Sequence, residues 1–149
     1  MPLSDNFKIR FQEIIDDSDY SRSELSKLIP ISTSTLSNAL SYGIIPSVKV
    51  LIRIADYFDI PINYLLGKTN DNYFIKSVSA VSFQQRLNDL CQEKNLTHYR
   101  VAYDNGLNTS IIVKWFTKNY LPELPIIELL CDYFKVSPDY LLGRTDFKN

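Results

Sequence analysis

The sequence has 149 residues, of which 45% are apolar, 22% charged and 13% aromatic, and its net charge is −1. This composition fits one medium-sized globular domain or two small ones, and it excludes disordered and fibrous proteins. No apolar run reaches the roughly 18 residues that span a bilayer, the N-terminus lacks signal-peptide features, and two cysteines are too few for a disulfide scaffold. We therefore expect a soluble, cytoplasmic protein that contacts no membrane.

The first helix is predicted by a stripe of apolar residues with i, i+4, i+7, i+8 spacing, which is typical of an amphipathic helix. The stripe consists of Phe7, Phe11, Ile14 and Ile15. Ser21 and Glu24 have the spacing of a capping box, which predicts the start of a second helix, and Pro30 ends that helix.

Three further helices follow in the first half of the chain. Ser32 is a candidate N-cap for the third helix, and Gly43 and Pro46 interrupt the chain after it. Ser47 is a candidate N-cap for the fourth helix. A last short helix carries the sequence Tyr-Leu-Leu at 64–66 and ends at Gly67.

The chain repeats itself at an offset of 76 residues, without a gap and with 13 identities over residues 7–70. The segments 56–58 and 64–67 match 132–134 and 140–143 residue for residue. Other identical pairs are Phe7 and Phe83, Arg10 and Arg86, Thr33 and Thr109, Ser34 and Ser110, and Pro46 and Pro122. We therefore expect two domains, 1–70 and 82–149, joined by a linker at 71–81 whose apolar cluster at 73–75 is unusual for a free linker.

The second half carries matching helix signals. Ser82 and Gln85 have capping-box spacing, Thr97 and Asn108 are candidate N-caps, and Ser137 precedes Pro138 at a first-turn position. The sequence thus predicts an all-α protein with five helices in each repeat and no sheet.

Helices two and three of each repeat, joined by a tight turn, have the spacing of a helix-turn-helix. Both repeats resemble the phage-repressor-like helix-turn-helix family, also called the XRE family. The segments that carry the resemblance are 21–26, 54–67 and 137–146. The resemblance implies two tandem five-helix repressor-like helix-turn-helix domains, each with its third helix in the major groove of double-stranded DNA.

The resemblance also implies which residues contact DNA. The second residue of helix two, Arg22 or His98, corresponds to a phosphate contact, which arginine makes well and neutral histidine only weakly. The base-reading positions lie at the start of the third helix and about one turn later, and they include Val113. Asparagine can bond adenine, lysine can approach guanine, and hydroxyls can serve either base. The candidate DNA-binding residues are Arg22, Ser32, Thr33, Ser34, Ser37, Asn38, His98, Thr109, Ser110, Lys114 and Lys118.

The sequence departs from the family pattern after helix three. Tyr42 and Lys118 stand at the usual glycine position, and apolar pairs at 44–45 and 120–121 stand where cations are common. These apolar pairs are either core residues or a partner surface. Few phosphate contacts are therefore expected, and the expected salt dependence of DNA binding is shallow.

The corner between helices two and three also differs between the repeats. Gly106 matches the family glycine, whereas Pro30 cannot adopt a left-handed conformation, so the first corner must be built differently. An ion pair that is common in the family is replaced by apolar residues at Ile15 and Leu40 and at Cys91 and Phe116. We interpret these as core residues.

Other conspicuous residues have structural interpretations. Trp115 is expected in the core, and the Tyr-Phe pairs at 57–58 and 133–134 are expected to be core and helix-packing residues. Cys91 and Cys131 are expected to be buried as small apolar residues. His98, the only histidine, has no convergent ligands nearby, so no metal is predicted. No phosphate-binding glycine loop or catalytic motif is present, so we predict no enzymatic activity, no cofactor and no small-molecule ligand.

The sequence therefore predicts a sequence-specific DNA-binding transcriptional regulator, a repressor, with two helix-turn-helix domains in one chain. The alternative is a protein-interaction module in which one or both domains have lost DNA binding and mediate homodimerisation or bind a protein partner. The near-neutral charge and the apolar loops favour this alternative.

Overall fold

The computed structural model describes residues 2–149; Met1, with which the first predicted domain begins, lies outside them. The regular structure of these residues is helical, as predicted, and one isolated antiparallel bridge joins Leu3 and Ile44. The chain divides into two compact units, Met1–Phe74 (unit 1) and Ile75–Asn149 (unit 2). None of the helices in residues 2–149 combines the length and the apolar character that crossing a membrane requires.

Unit 1 has five helices among its described residues: α1 (Asp5–Ser18), α2 (Arg22–Leu28), α3 (Thr33–Tyr42), α4 (Val48–Phe58) and α5 (Ile62–Leu65). Unit 2, all of which is described, has five: α6 (Phe83–Lys94), α7 (His98–Asp104), α8 (Thr109–Thr117), α9 (Leu124–Phe134) and α10 (Pro138–Leu141).

The helices of the two units follow the 76-residue offset of the sequence. Helices α2, α4 and α5 have the same bounds as α7, α9 and α10 after this shift. Left-handed residues recur at the same offset in four pairs: Asp19 and Asn95, Gly43 and Asn119, Asp59 and Lys135, and Gly67 and Gly143. Because the left-handed conformation ends a helix and sets the direction of the next one, equal positions give each unit the same order of turns.

Polar side chains begin most helices at the predicted residues. Ser21 and Glu24 form the complete capping box at the start of α2. The other predicted caps that accept a backbone N–H are Ser32, Ser47, Ser82, Thr97, Asn108 and Ser137. The capping box predicted at Ser82 is only half formed, because the Gln85 amide donates to Asp89 Oδ1 at 2.9 Å instead of returning to Ser82.

The two cores differ in how aromatic volume is distributed. In unit 1 the rings of Phe7 and Phe11 stack with their centroids 5.5 Å apart. In unit 2 the ring of Phe83 meets the ring of Trp115 edge-on, with their centroids 5.6 Å apart. Trp115 is buried, as predicted. The counterpart of Trp115 in unit 1 is the small residue Ala39. In unit 2, therefore, a large side chain on α8 fills core volume, whereas in unit 1 two aromatic rings on α1 do so.

Several residues expected in the core are not equally buried. Ile15, Leu40, Cys91 and Phe134 are buried, but Phe116 is only half-buried. The expectation that Tyr57 is a core residue is wrong, because Tyr57 is 39% exposed; its ring packs edge-on against the ring of Phe58. Cys91 and Cys131 are buried, as predicted, and burial raises the pKa of the Cys91 thiol.

The segment just before α6 is bound to the C-terminal part of unit 2. The backbone N–H of Ser77 donates to Arg144 O at 2.9 Å, and its hydroxyl donates to Gly143 O at 2.8 Å. The N–H of Val78 donates to Asp146 Oδ2 at 3.2 Å. Residues 77 and 78, which belong to the predicted linker, are therefore fixed to unit 2. Of the apolar cluster at 73–75, Tyr73 and Ile75 are exposed.

Candidate nucleic-acid interface

The orientation of α3 is set by the residues it buries. Leu36, Ala39 and Leu40 face the core of unit 1. Residues three and four apart share a helix face, so the residues between them face outward. We call this outward set the α3 surface; it consists of Thr33, Ser34 and Asn38, which are exposed, and Ser37, which is half-buried.

Ser32 is the N-cap of α3, and its hydroxyl is hydrogen-bonded to the first turn of the helix. Its hydroxyl oxygen accepts the N–H of Thr35 at 3.1 Å, its own O–H donates to Thr35 Oγ1 at 2.8 Å, and Ser34 Oγ lies 3.2 Å away. In contrast, no other described residue hydrogen-bonds with the side chain of Asn38. The structure thus places Ser32 as a helix cap and leaves the Asn38 amide available to a ligand.

Arg22 is the first residue of α2 and lies between Ser21 and Glu24, the two residues of its capping box. Its side chain is exposed and forms no ion pair with any of the described residues. The turn after α2 is built without a left-handed residue, as predicted from Pro30. Ile29 is extended, Ile31 N–H donates to Ile29 O at 2.7 Å, and Arg53 Nη1 donates to Pro30 O at 2.8 Å.

The loop after α3 is tied to the segment that precedes α1. Gly43 ends α3 with φ +69°, its carbonyl accepts the N–H of Ser4 at 2.9 Å, and Ile45 N–H donates to Pro2 O at 3.0 Å. A Cβ on Gly43 would lie 2.6 Å from Ser4 O, so the close approach and the left-handed φ both require glycine. The apolar residues Ile44 and Ile45 are half-buried here.

In unit 2, α8 buries Ile112 and Trp115. The α8 surface, which faces outward, consists of Thr109, Ser110, Val113 and Lys114, all exposed. Unlike the α3 surface, it combines hydroxyls with an ammonium group and an apolar side chain.

Lys118, a candidate DNA-binding residue, lies just after α8, which ends at Thr117; it caps the helix by donating its backbone N–H to Lys114 O at 3.0 Å. The left-handed residue follows at Asn119 and corresponds to Gly43, one position after the usual family glycine. Lys118 remains exposed, without an ion pair to any described residue.

The side chain of His98 has different surroundings from that of its counterpart in unit 1, Arg22. Its ring stacks on Phe116 at a centroid distance of 4.5 Å, and its Nε2 lies 2.9 Å from Asn88 Oδ1. The half-buried ring is therefore held against unit 2, whereas Arg22 extends into solvent.

Two features of the surface of unit 2 were not predicted. Gln84 Nε2 donates to Trp115 O and Tyr120 O, both at 3.0 Å, and so fixes the end of α8. Tyr99 and Tyr103 on α7 are 64% and 67% exposed, and their rings stack 6.4 Å apart. Their i, i+4 spacing could have indicated a shared face, but their exposure depends on which side of α7 is buried.

Residues 12–65 match the family model described as helix-turn-helix. The matched span runs from within α1 to the end of α5 and includes α2, α3 and the turn between them. Unit 1 contains a helix-turn-helix domain. The predicted resemblance to the XRE-like family is confirmed for this span, and the family is one of DNA-binding transcription regulators. Among curated proteins and among solved structures, none shows significant similarity to the chain.

Proposed function

We propose that the protein is a sequence-specific regulator of transcription that binds double-stranded DNA through the α3 surface and the α8 surface. The observation that carries this proposal is the outward face of α3 in the matched domain. There, Thr33, Ser34 and Asn38 present hydrogen-bonding groups to solvent while the opposite face is held in the core. A helix with a fixed orientation and exposed polar groups at one-turn spacing suits the major groove.

The chemistry of the α3 surface supports base reading. The Asn38 amide offers a donor and an acceptor in one plane, which suits adenine. Arg22, at the start of α2, supplies a positive charge for a phosphate, which positions the domain without reading sequence.

Unit 2 is proposed as a second helix-turn-helix domain. Support comes from its helix order, its helix bounds at the 76-residue offset and its left-handed residues at matching positions. The α8 surface offers Lys114 where the α3 surface offers Asn38, so the two surfaces favour different bases. A single chain with two different readers prefers an asymmetric site. Occupation of such a site would exclude other proteins from it, which is how a repressor acts.

A second candidate function is protein binding by unit 2, and the exposed aromatic pair favours it. Tyr99 and Tyr103 occupy the positions of Ser23 and Lys27 in unit 1, so one helix face has become aromatic. Tyrosine and arginine are both enriched in protein–protein interfaces. Arg100 lies beside the pair, with its guanidinium 5.6 Å from the centroid of the Tyr103 ring. The partner would be a second copy of the chain or another protein.

Selection of bound duplexes from a random-sequence pool tests the two candidates together. For a specific DNA binder, the enriched duplex should bind roughly a thousandfold more tightly than a shuffled one at physiological salt. A ratio below about tenfold would contradict the proposal. The protein-binding candidate predicts instead that the chain associates with itself or with a partner. The substitutions Tyr99→Ser and Tyr103→Lys, which introduce the residues found at the corresponding positions of unit 1, should abolish this association.

A further inference from the structure

Val113 is the one large apolar residue of α8 that is exposed, since its relative accessibility is 55% and the other large apolar residues of this fully described helix are buried or half-buried. Single exposed apolar residues are common and need no explanation by themselves. The position of this one is specific, because it lies in the centre of the α8 surface. Thr109 is four residues before it, Ser110 three residues before it, and Lys114 directly after it.

The local structure holds Val113 in a fixed position. Trp115, two residues later, is buried against Phe83, which fixes the rotation of α8 about its axis. The carbonyl of Val113 accepts the hydroxyl of Thr117 at 2.9 Å, in addition to its place in the helix. A β-branched side chain in a helix has one strongly preferred rotamer, so the two methyl groups of Val113 are pre-organised.

The major-groove edges of the bases offer hydrogen-bond donors and acceptors and a single apolar group, the 5-methyl group of thymine. We propose that Val113 reads the 5-methyl group of a pyrimidine, so that unit 2 prefers a thymine at one position of its site. The inference rests on the proposed function, because it requires the α8 surface to enter the major groove. The same methyl group occurs in 5-methylcytosine, which would satisfy the same contact.

Unit 1 differs from unit 2 at the position of Val113. The counterpart of Val113 is Ser37, which is half-buried and carries a hydroxyl. Unit 1 therefore has no apolar group at the position where unit 2 has one. Methyl sensitivity should be confined to the part of the site that unit 2 reads.

Uracil substitution tests the contact, because uracil differs from thymine only by the missing methyl group. In the enriched duplex, each thymine is replaced by uracil in turn, and the affinity of the full-length chain is measured. The wild type should lose about fourfold at one position read by unit 2, the factor expected for one methyl group removed from an apolar contact. Val113→Ala should bind the thymine duplex more weakly and lose less affinity than the wild type with uracil at that position, because alanine keeps only one methyl group for the contact.

Val78→Ala is the matched control, because Val78 is also an exposed valine of unit 2, at 97%, but lies outside α8. It should keep the methyl dependence of the wild type. The fluorescence of Trp115 during urea unfolding should be unchanged in Val113→Ala, which would show that the variant is folded. Replacing each cytosine with 5-methylcytosine tests the second source of the methyl group, and any gain should again depend on Val113.

The inference is overturned if every uracil and 5-methylcytosine substitution affects the wild type and Val113→Ala equally. If Lys114→Ala still relaxes base preference in that case, the proposed function stands and only the role of Val113 is lost. If no duplex is enriched at all, the proposed function fails together with this inference.

Discussion

The guanidinium of Arg86 is joined to Tyr140 in two ways: it lies 4.3 Å from the centroid of the tyrosine ring, and its Nε donates to the tyrosine carbonyl at 3.0 Å. Its Nη2 continues to Thr145 O at 2.8 Å. Unit 1 repeats the arrangement at the same offset. Arg10 lies 4.0 Å from the Tyr64 ring centroid and donates to the Tyr64 carbonyl at 2.9 Å. In each unit an arginine of the first helix thus holds the end of the fifth.

Arg86→Ala should lower the free energy of unfolding of unit 2 by about 3 kcal/mol, because it removes charged donors from two buried carbonyls and leaves them without these partners. Urea unfolding followed by Trp115 fluorescence measures this directly, since the only tryptophan of the chain is buried in unit 2. Lys118→Ala, which removes an exposed cation, should leave the midpoint unchanged. Equal midpoints for both variants would show that the arginine contacts add nothing.

The sequence allowed the helices to be predicted because their signals are local. The capping box at Ser21 and the helix bounds at the 76-residue offset depend on residues within a few positions of each other. The arginine contacts were missed because they join Arg10 and Arg86 to residues more than fifty positions away. The identity of Arg10 and Arg86 in the repeat was the available signal, but it does not say what a guanidinium contacts.

The candidate site was less predictable than the fold for a similar reason. The exposure of Asn38 and Lys114 follows from helical spacing, which is visible in the sequence. The stacking of His98 on Phe116 does not, because it depends on the packing of α7 against α8. The exposure of Tyr57, in a Tyr-Phe pair expected in the core, likewise depends on which of two adjacent residues faces inward.

Asp146→Asn should weaken unit 2 in a pH-dependent way. The N–H of Val78 and then the guanidinium of Arg86 hold the pKa of the Asp146 carboxyl below its ordinary value of 3.8, against the opposing effect of desolvation. A carboxyl group whose pKa is lower in the folded state stabilises the folded protein when the pH lies above the pKa of the unfolded state. This stabilisation is lost as the pH falls through the pKa of the folded state. The wild type should therefore exceed the variant in urea midpoint at pH 7, and the difference should shrink below about pH 3.8.

The natural reference for this change is unit 1, where Asn70 occupies the position of Asp146 and accepts a hydrogen bond from Arg10 Nη2 at 2.8 Å. Asp132→Asn is the control within unit 2, because Asp132 is exposed and its carboxylate forms no hydrogen bond or ion pair with any of the described residues. A difference between wild type and Asp146→Asn that stays constant from pH 7 to pH 3 would argue against the carboxylate as the cause.

Two glycines of unit 2 allow backbone strain to be separated from steric exclusion. Gly106 and Gly143 both have left-handed φ values, +65° and +75°. A Cβ on Gly106 would meet no atom within 4 Å, whereas one on Gly143 would lie 1.8 Å from Val81 O. Gly106→Ala should cost about 1 kcal/mol through its backbone alone, and Gly143→Ala should cost several times more. Similar losses in urea unfolding would contradict this steric difference.

Arg22→Ala should weaken binding to all duplexes by a similar factor, because a phosphate carries no base identity. Among the described residues, the exposed cations on or beside the α3 surface and the α8 surface are few, chiefly Arg22, Lys114 and Lys118. If three or four phosphates are neutralised, the logarithm of the affinity should fall with that of the salt concentration at a slope of about −3 to −4. A slope of about −8 would reveal a basic surface outside α3 and α8.

The most direct measurement of the central claim is the base preference, position by position, of the full-length wild type, Asn38→Ala and Lys114→Ala on the enriched duplex. The account predicts that each substitution costs about 1–3 kcal/mol of binding and relaxes preference at its own set of positions, since each side chain reads different bases. Unchanged preference in both variants would contradict DNA reading by these surfaces. Loss confined to Asn38→Ala would restrict reading to unit 1 and leave unit 2 as an interaction domain.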